Sequence, residues 1–193
     1  MTVGDTLAQL IRRECPEPSP TCCLLGLQWG RIAHRLAQDA INVFGVDDWG
    51  AQRGLLQRAA VTPYDLLDDE TCNEARAESS RVLGDACETV SARLWIHFPF
   101  NGPKEDLAPV DALFLNYDFS AHGVYALAML WLPVLKPGGI LCGSKYGDPR
   151  GGKGVRAGVA AISRRLGMRI HHEPCKLWWG RPLCPCPSSA LAK

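Results

Sequence analysis

The sequence predicts a doubly wound α/β fold, a mostly parallel sheet covered by helices on both faces. Three observations carry this. Short apolar runs recur at 22–27 (CCLLGL), 41–46 (INVFGV), 111–116 (DALFLN) and 140–146 (ILCGSKY). Such uninterrupted runs suit parallel strands buried on both faces better than strands with one wet face. Helical stretches separate the runs, and glycines and acids gather where the runs end.

The elements follow in order. Residues 3–14 (VGDTLAQLIRRE) form a helix with Asp5 as N-cap, and the prolines of PEPSP at 16–20 close it. The run at 22–27 is a buried strand ending in Gly26-Leu27-Gln28-Trp29-Gly30, followed by the helical RIAHRLAQDA. The run at 41–46 ends in Asp47-Asp48. Residues 51–80 are polar and rich in Ala and Leu, giving one or two helices, the second capped near Asp65. Arg81-Val82-Leu83-Gly84 reads as a short strand, with Asp85 behind it and a helix to about Leu94. Residues 95–110, aromatic and proline-bearing, make a lid or a packed loop.

Residues 111–116 give the clearest central strand. An apolar helix at 122–135 ends at Lys136-Pro137-Gly138-Gly139, and the next strand spans 140–146. A glycine-rich loop at 147–154 leads into a helix to about Leu166, and strands near 168–172 and 176–181 complete the sheet. There are no internal repeats. The organisation expected is an N-terminal helix and linker at 1–20, one folded domain at 21–183 and a flexible tail at 184–193.

Composition narrows the function classes. With 193 residues, 47% apolar and 21% charged, the chain has enough apolar matter for one sizeable core. A net charge of +1 argues for no nucleic-acid partner and no anionic membrane. The charge is uneven, however: beyond Gly151 Lys and Arg dominate, with Glu173 the only acid. That is either a basic outer face on the last helix or an attraction for an acidic substrate or partner.

Nine cysteines, an odd number scattered through apolar runs, suit buried reduced thiols rather than a disulfide framework. There is no CxxC, and Cys184 and Cys186 lack the further ligands of a zinc set. No basic-then-apolar leader opens the chain, and no apolar run approaches the roughly 20 residues needed to span a bilayer. A soluble cytoplasmic protein, with oligomerisation open, is expected.

In doubly wound sheets, ligands sit beyond the carboxyl ends of the strands. Gly26–Gly30, Asp47, Asp48, Asp85, Asn116–Asp118 and Ser144–Tyr146 all fall on that edge. Gly26 and Gly30 allow close approach to a ligand at a helix start, or simply a tight packing turn. Asp47, about 20 residues later, can accept both hydroxyls of a ribose. Together they point to a nucleoside-containing ligand.

The segment DALFLNYDFSAHGVYALAMLWLPVLKPGGILCGSKY at 111–146, continuing into GVRAGVAAISRRLGMRIHHEPCKLWW, resembles the class I S-adenosylmethionine-dependent methyltransferases. It is most similar to a bacterial small-molecule branch with a D-x-D-H-like motif, an L-x-P-G-G turn and a late W-W strand. LLGLQWGR, FGVDDWG and RVLGDACE resemble that branch's first three motifs, so the resemblance covers about residues 22–181. It implies a Rossmann-like, seven-stranded sheet with one antiparallel strand near 177–181. It also implies S-adenosylmethionine as cofactor: Gly26 and Gly30 toward the methionine, Asp47 at the ribose, Asp85 at the adenine and Asn116 under the sulfonium, with Asp48 a further cofactor-binding residue.

The chain departs from the family pattern. Leu24 replaces the acid at the first strand's end, and Asn116, Phe119, Ser144 and Lys145 stand where metal-using relatives place acids and a His. Only Asp118 of that set survives. A hard divalent cation needs several oxygen ligands and is repelled by a lysine, so no metal is expected. Asp118, His122, Lys145 and Tyr146 are candidates to take a substrate proton, His122 being best matched by intrinsic pKa. His122 equally suits capping the helix that starts there, and Lys145 a surface role or a salt bridge to Asp118.

Gly147-Asp148-Pro149-Arg150-Gly151-Gly152-Lys153-Gly154 mimics a phosphate-binding loop, but Gly154 stands where the magnesium-binding Ser or Thr belongs. A loop over the site, with Arg150 or Lys153 touching an acidic substrate, is the better reading. The expected function is methyl transfer to an oxygen or nitrogen of a small molecule without metal. The alternative is a catalytically degenerate methyltransferase fold that binds a partner. A nicotinamide oxidoreductase is disfavoured, since the turn lacks the full G-x-G-x-x-G spacing.

Overall fold

The computed structural model describes residues 1–48, 69–86, 92–96, 99–103, 107–149 and 152–183. The expectations for 51–68, Arg150 and the 184–193 tail lie outside these residues.

Helix α1 (Val3–Glu14) precedes strand β1 (Thr21–Leu25), helix α2 (Arg31–Gln38) and strand β2 (Asn42–Asp47). Helix α3 (Asp69–Ala86) leads to β3 (Ala92–Ile96), and β4 (Val110–Leu115) to α4 (Ala121–Trp131). Then come β5 (Leu135–Gly143), α5 (Gly152–Leu166), β6 (His171–Glu173) and β7 (Leu177–Gly180). The strands form one mixed sheet in the order β3-β2-β1-β4-β5-β7-β6. β1, β2, β3, β4 and β5 pair in parallel, while β7 runs antiparallel to β5 and β6.

All six residues of β4 are buried, including Asp111, whose carboxylate accepts from Lys136 Nζ and from the Thr21 backbone N–H, each at 2.8 Å. Among the described residues Trp131, Trp178, Tyr117 and Phe114 are the largest side chains fully withdrawn from solvent. α2 packs between α1 and α3, and α4 lies along α5. The α4–α5 approach is close enough that a Cβ on Gly158 would meet the Ala121 carbonyl at 2.8 Å. From β1 the chain winds outward through β2 to β3, and from β4 outward to β5. The reversal opens a crevice at the carboxyl ends of β1 and β4, where this architecture holds ligands.

Several expectations are corrected. The strand expected at 81–84 is the final part of α3, whose buried Cys72, Ala75, Ser79 and Val82 follow helical spacing; the third strand lies later, at Ala92–Ile96. The cap of α1 is Thr2, not Asp5. Asp5 sits at the third helical position, and each side chain bonds the other's backbone N–H in a capping box. The helix before the Pro-Gly-Gly turn ends at Trp131 and continues as a 3₁₀ turn over Leu132–Val134, with Pro133 in its first positions. In the 95–110 stretch, the described residues favour a packed loop: the Trp131 indole donates to the Pro99 carbonyl at 2.7 Å, and Phe100 meets Tyr117 edge-on.

Candidate functional site

The site is built on the turn that leaves β1. Gly26 has φ +93°, and a Cβ there would lie 2.5 Å from the Asn116 carbonyl oxygen, so the turn demands glycine. Asp47, the last residue of β2, is fully buried. Its Oδ2 accepts from the backbone N–H of Leu27 at 2.6 Å and of Gln28 at 3.1 Å. A carboxylate receiving two amides fixes the turn in place by charge-assisted bonds. Gly30, φ +73°, serves packing instead, since a Cβ there would meet the Ser79 backbone at 2.9 Å. The absent side chain lets α3 settle over the start of α2, and the Ser79 hydroxyl adds a bond to the Gln28 carbonyl at 2.7 Å.

Asn116 joins three strand ends. Its backbone N–H donates to Leu25 O at 2.8 Å, its side-chain amide to Gly26 O at 3.1 Å, and its Oδ1 accepts the Ser144 hydroxyl at 2.6 Å. Asp48 accepts the phenol of buried Tyr117 at 2.7 Å. Burial and the neighbouring Asp48 carboxylate push the Tyr117 phenol far above its ordinary range.

A cleft of about 350 Å³ opens at this edge, lined by Val3, Gln28, Ile32, Asn116, Ser144, Lys145, Asp148, Cys175 and Lys176. Gln28, Lys145, Cys175 and Lys176, four of its walls, carry left-handed backbone at φ 55°, 64°, 58° and 60°. Among the described residues only one further non-glycine residue, Ala40, does so. Non-glycine residues held in that region are costly and tend to gather at sites of function.

The sequence-predicted residues divide accordingly. Asn116 and Lys145 line the cleft, with Gly26 and Asp47 shaping the turn beside it. Asp118 is buried, accepts from the Ser120 amide at 2.7 Å and packs its carboxylate against Gly123 at the start of α4. His122 is exposed in the first turn of α4, whose cap is Ser120 bonded to the Gly123 amide. Tyr146 stacks on His172, with ring centroids 4.4 Å apart. Lys145 approaches Asp148 at 4.0 Å and the Phe119 ring; the expected bridge to Asp118 is replaced by this one. Asp85 lies in the last turn of α3, on the way into the amino end of β3. Its adenine role assumed a strand end, and that premise is overturned.

Sequence reasoning missed Val3, Ile32, Cys175 and Lys176 as walls of the cleft, and reached Gln28 and Asp148 only as members of the 26–30 turn and the 147–154 loop. The signal for two of them was local: Pro174 precedes Cys175-Lys176 and turns the chain between β6 and β7. Among the described residues, no group of three His, Cys, Asp or Glu side chains could hold a metal ion, and no helix is long and apolar enough to cross a membrane.

No protein-family pattern matches the chain. No curated protein matches it either. Solved structures do. A candidate rRNA methylase from Clostridium thermocellum superposes with a TM-score of 0.61 at 15% identity, covering 93% of this chain and 96% of that one. An O-methyltransferase from Bacillus cereus in complex with SAH gives 0.58 at 12%, over 92% and 80% of the two chains. The O-methyltransferase TomG from Streptomyces achromogenes, in complex with SAM, gives 0.56 at 12%, over 93% and 78%. These likenesses show that the chain shares the α/β fold of these solved structures.

Proposed function

We propose that the chain binds S-adenosylmethionine at the carboxyl edge of its sheet and methylates an oxygen or nitrogen of a small molecule without a metal. The observation that carries this is the Asp47 carboxylate, set at the end of β2 and bonded to the glycine turn after β1. It belongs to a fold whose solved neighbours include enzymes in complex with SAH and SAM. The residues fit the cofactor in kind. Gly26 lets the turn after β1 close against the Asn116 backbone on the side of the methionine part, Asp47 and Asp48 offer acceptors for ribose hydroxyls, and Asn116 lies at the strand end where the sulfonium belongs. The cofactor, when bound, supplies a methyl group activated on sulfur.

The chain's own residues then position and exclude. Val3 and Ile32 form apolar walls, while Asn116 and Ser144 form a polar floor. Holding nucleophile and methyl donor in line supplies much of the rate in such transfers. The metal-free reading is supported by the donor set: Asn116, Ser144 and Lys145 offer an amide, a hydroxyl and an ammonium where a hard cation would want carboxylates. Of the four proton-transfer candidates Lys145 alone lines the cleft, and as an ammonium it acts on the substrate by charge.

A second reading, a methyltransferase fold that binds without transferring, is favoured by one observation. Asp47, Asp48 and Asn116 all engage polar atoms within the protein itself. The deciding experiment is transfer of labelled methyl from S-adenosylmethionine to a panel of phenols, carboxylates and amines in EDTA. The enzyme reading predicts product with at least one acceptor. Cofactor binding with no product across the panel favours the second reading.

A further inference from the structure

We propose that the cleft holds an anionic group of its ligand, a carboxylate or phosphate, between the ammonium groups of Lys145 and Lys176. That this ligand is the methyl acceptor rests on the methyl-transfer reading; the anion site itself rests on geometry.

The two lysines reach the cleft from separate elements. Lys145 follows β5, and Lys176 lies in the turn between β6 and β7. Both converge on one carboxylate oxygen: Lys176 Nζ donates to Asp148 Oδ2 at 3.2 Å, and Lys145 Nζ stands 4.0 Å from the same atom. One carboxylate faces two ammonium groups, and the other lining residues, Val3, Gln28, Ile32, Asn116, Ser144 and Cys175, are neutral. Among the described lining residues the cleft therefore carries a surplus positive charge. Asp148 is largely covered, at 15% side-chain exposure, while the lysines stand at 46% and 50%, open to a ligand.

The backbone holds this arrangement in a costly form. Lys145, Cys175 and Lys176 are all left-handed, although none is a glycine. The two loops are tied together by Tyr146 N–H donating to Lys176 O at 2.9 Å, and Asp148 N–H closes its own loop onto Lys145 O at 3.0 Å. A surface pair that merely neutralised Asp148 would need neither the strain nor the tie, since exposed ion pairs contribute little to stability. The left-handed backbone and the tie between two loops that face each other across the cleft hold the two lysines in place, which is the preorganisation an anion clamp draws on. This adds Lys145 and Lys176 as anion-binding charges beside the Gly147–Gly154 loop, whose Arg150 lies outside the described residues.

The test is titration of the full chain with benzoate and with phenyl phosphate at low salt, read by NMR shifts of the Gln28 and Tyr146 amides. SAH binding is measured in parallel by calorimetry. Lys145→Gln and Lys176→Gln should each weaken probe binding roughly fivefold, and added salt should weaken it further. Asp148→Asn is the decisive variant: it removes the competing carboxylate, so anion binding should tighten severalfold. Binding of either probe with this pattern supports the site, the tighter probe naming the anionic group.

Cleft amides unmoved by both probes, affinity indifferent to both lysine variants, or weaker binding in Asp148→Asn would overturn it. Lost anion binding with SAH binding intact removes the clamp alone. Lysine-dependent anion binding without SAH binding supports the clamp and removes the methyl-transfer reading instead.

Discussion

The carboxylate of Asp47 accepts the backbone N–H of Leu27 at 2.6 Å, so the end of β2 fixes the turn that leaves β1. The bond joins residues twenty positions apart and sits at the crevice where the sheet order reverses. With the second bond from Gln28, it makes Asp47 both a support for the turn and a candidate ribose acceptor.

Asp47→Ala leaves the buried Leu27 amide and the part-buried Gln28 amide without their acceptor. Unsatisfied buried donors of this kind cost about 1–3 kcal/mol each, so unfolding in urea should shift to lower midpoint with little change in slope. Asp47→Asn keeps an acceptor in place and should lose less stability.

Gly26 and Gly84 make a matched pair of tests. Gly26→Ala sets a Cβ 2.5 Å from the Asn116 carbonyl at φ +93°, and should destabilise by more than about 2 kcal/mol. Gly84 lies inside α3 with nothing within 4 Å of an added Cβ, and Gly84→Ala should stabilise by up to about 1 kcal/mol. Thermal melts of the two variants should move in opposite directions.

Alkaline pH should unfold the protein. Burial pushes the Cys15 thiol up to about 11 and the Cys22, Cys23 and Cys142 thiols higher still; burial and Asp48 push up the Tyr117 phenol. Each group is raised in the folded state, so above its unfolded pKa the folded chain binds more protons than the unfolded one. The contribution is complete below the unfolded pKa and declines as pH rises toward the folded one, by up to about 1.4 kcal/mol per group per pH unit. Stability measured by urea titration should fall from near pH 9 upward, and more steeply beyond 10 as the phenol joins. Tyr117→Phe should flatten that later part and lower stability at pH 7, since Asp48 loses a donor.

Thiol labelling should follow burial. Among the described cysteines Cys175 is the one only partly buried, its Sγ donating to the Met1 carbonyl at 3.2 Å. Peptide mapping after brief maleimide treatment should find Cys175 modified ahead of Cys15, Cys22, Cys23, Cys72 and Cys142. Because Cys175 lines the cleft, a ligand bound there should slow its labelling.

Much of this fold was legible because buried parallel strands announce themselves as apolar runs. β1, β2, β4 and β5 fall within a few residues of their expected places, as do α1, α2 and α5. The failure at 81–84 has a physical origin: Val82 is apolar because one face of α3 is buried, and four residues cannot distinguish that from a strand. Cys72, Ala75 and Ser79, taken together with Val82, carry the helical period. In the site, Asn116 and Lys145 were legible from their place at strand ends. Cys175 and Lys176 were not, since their role depends on left-handed backbone that ordinary residues do not advertise and on loops distant in sequence.

The most direct test of the account is calorimetric titration of the purified chain with S-adenosylmethionine and, separately, with SAH, in the presence of EDTA. The account predicts saturable binding of both, with a dissociation constant on the order of 10 μM, lost in folded Asp47→Ala. The absence of binding by either ligand to the folded wild-type chain would contradict it.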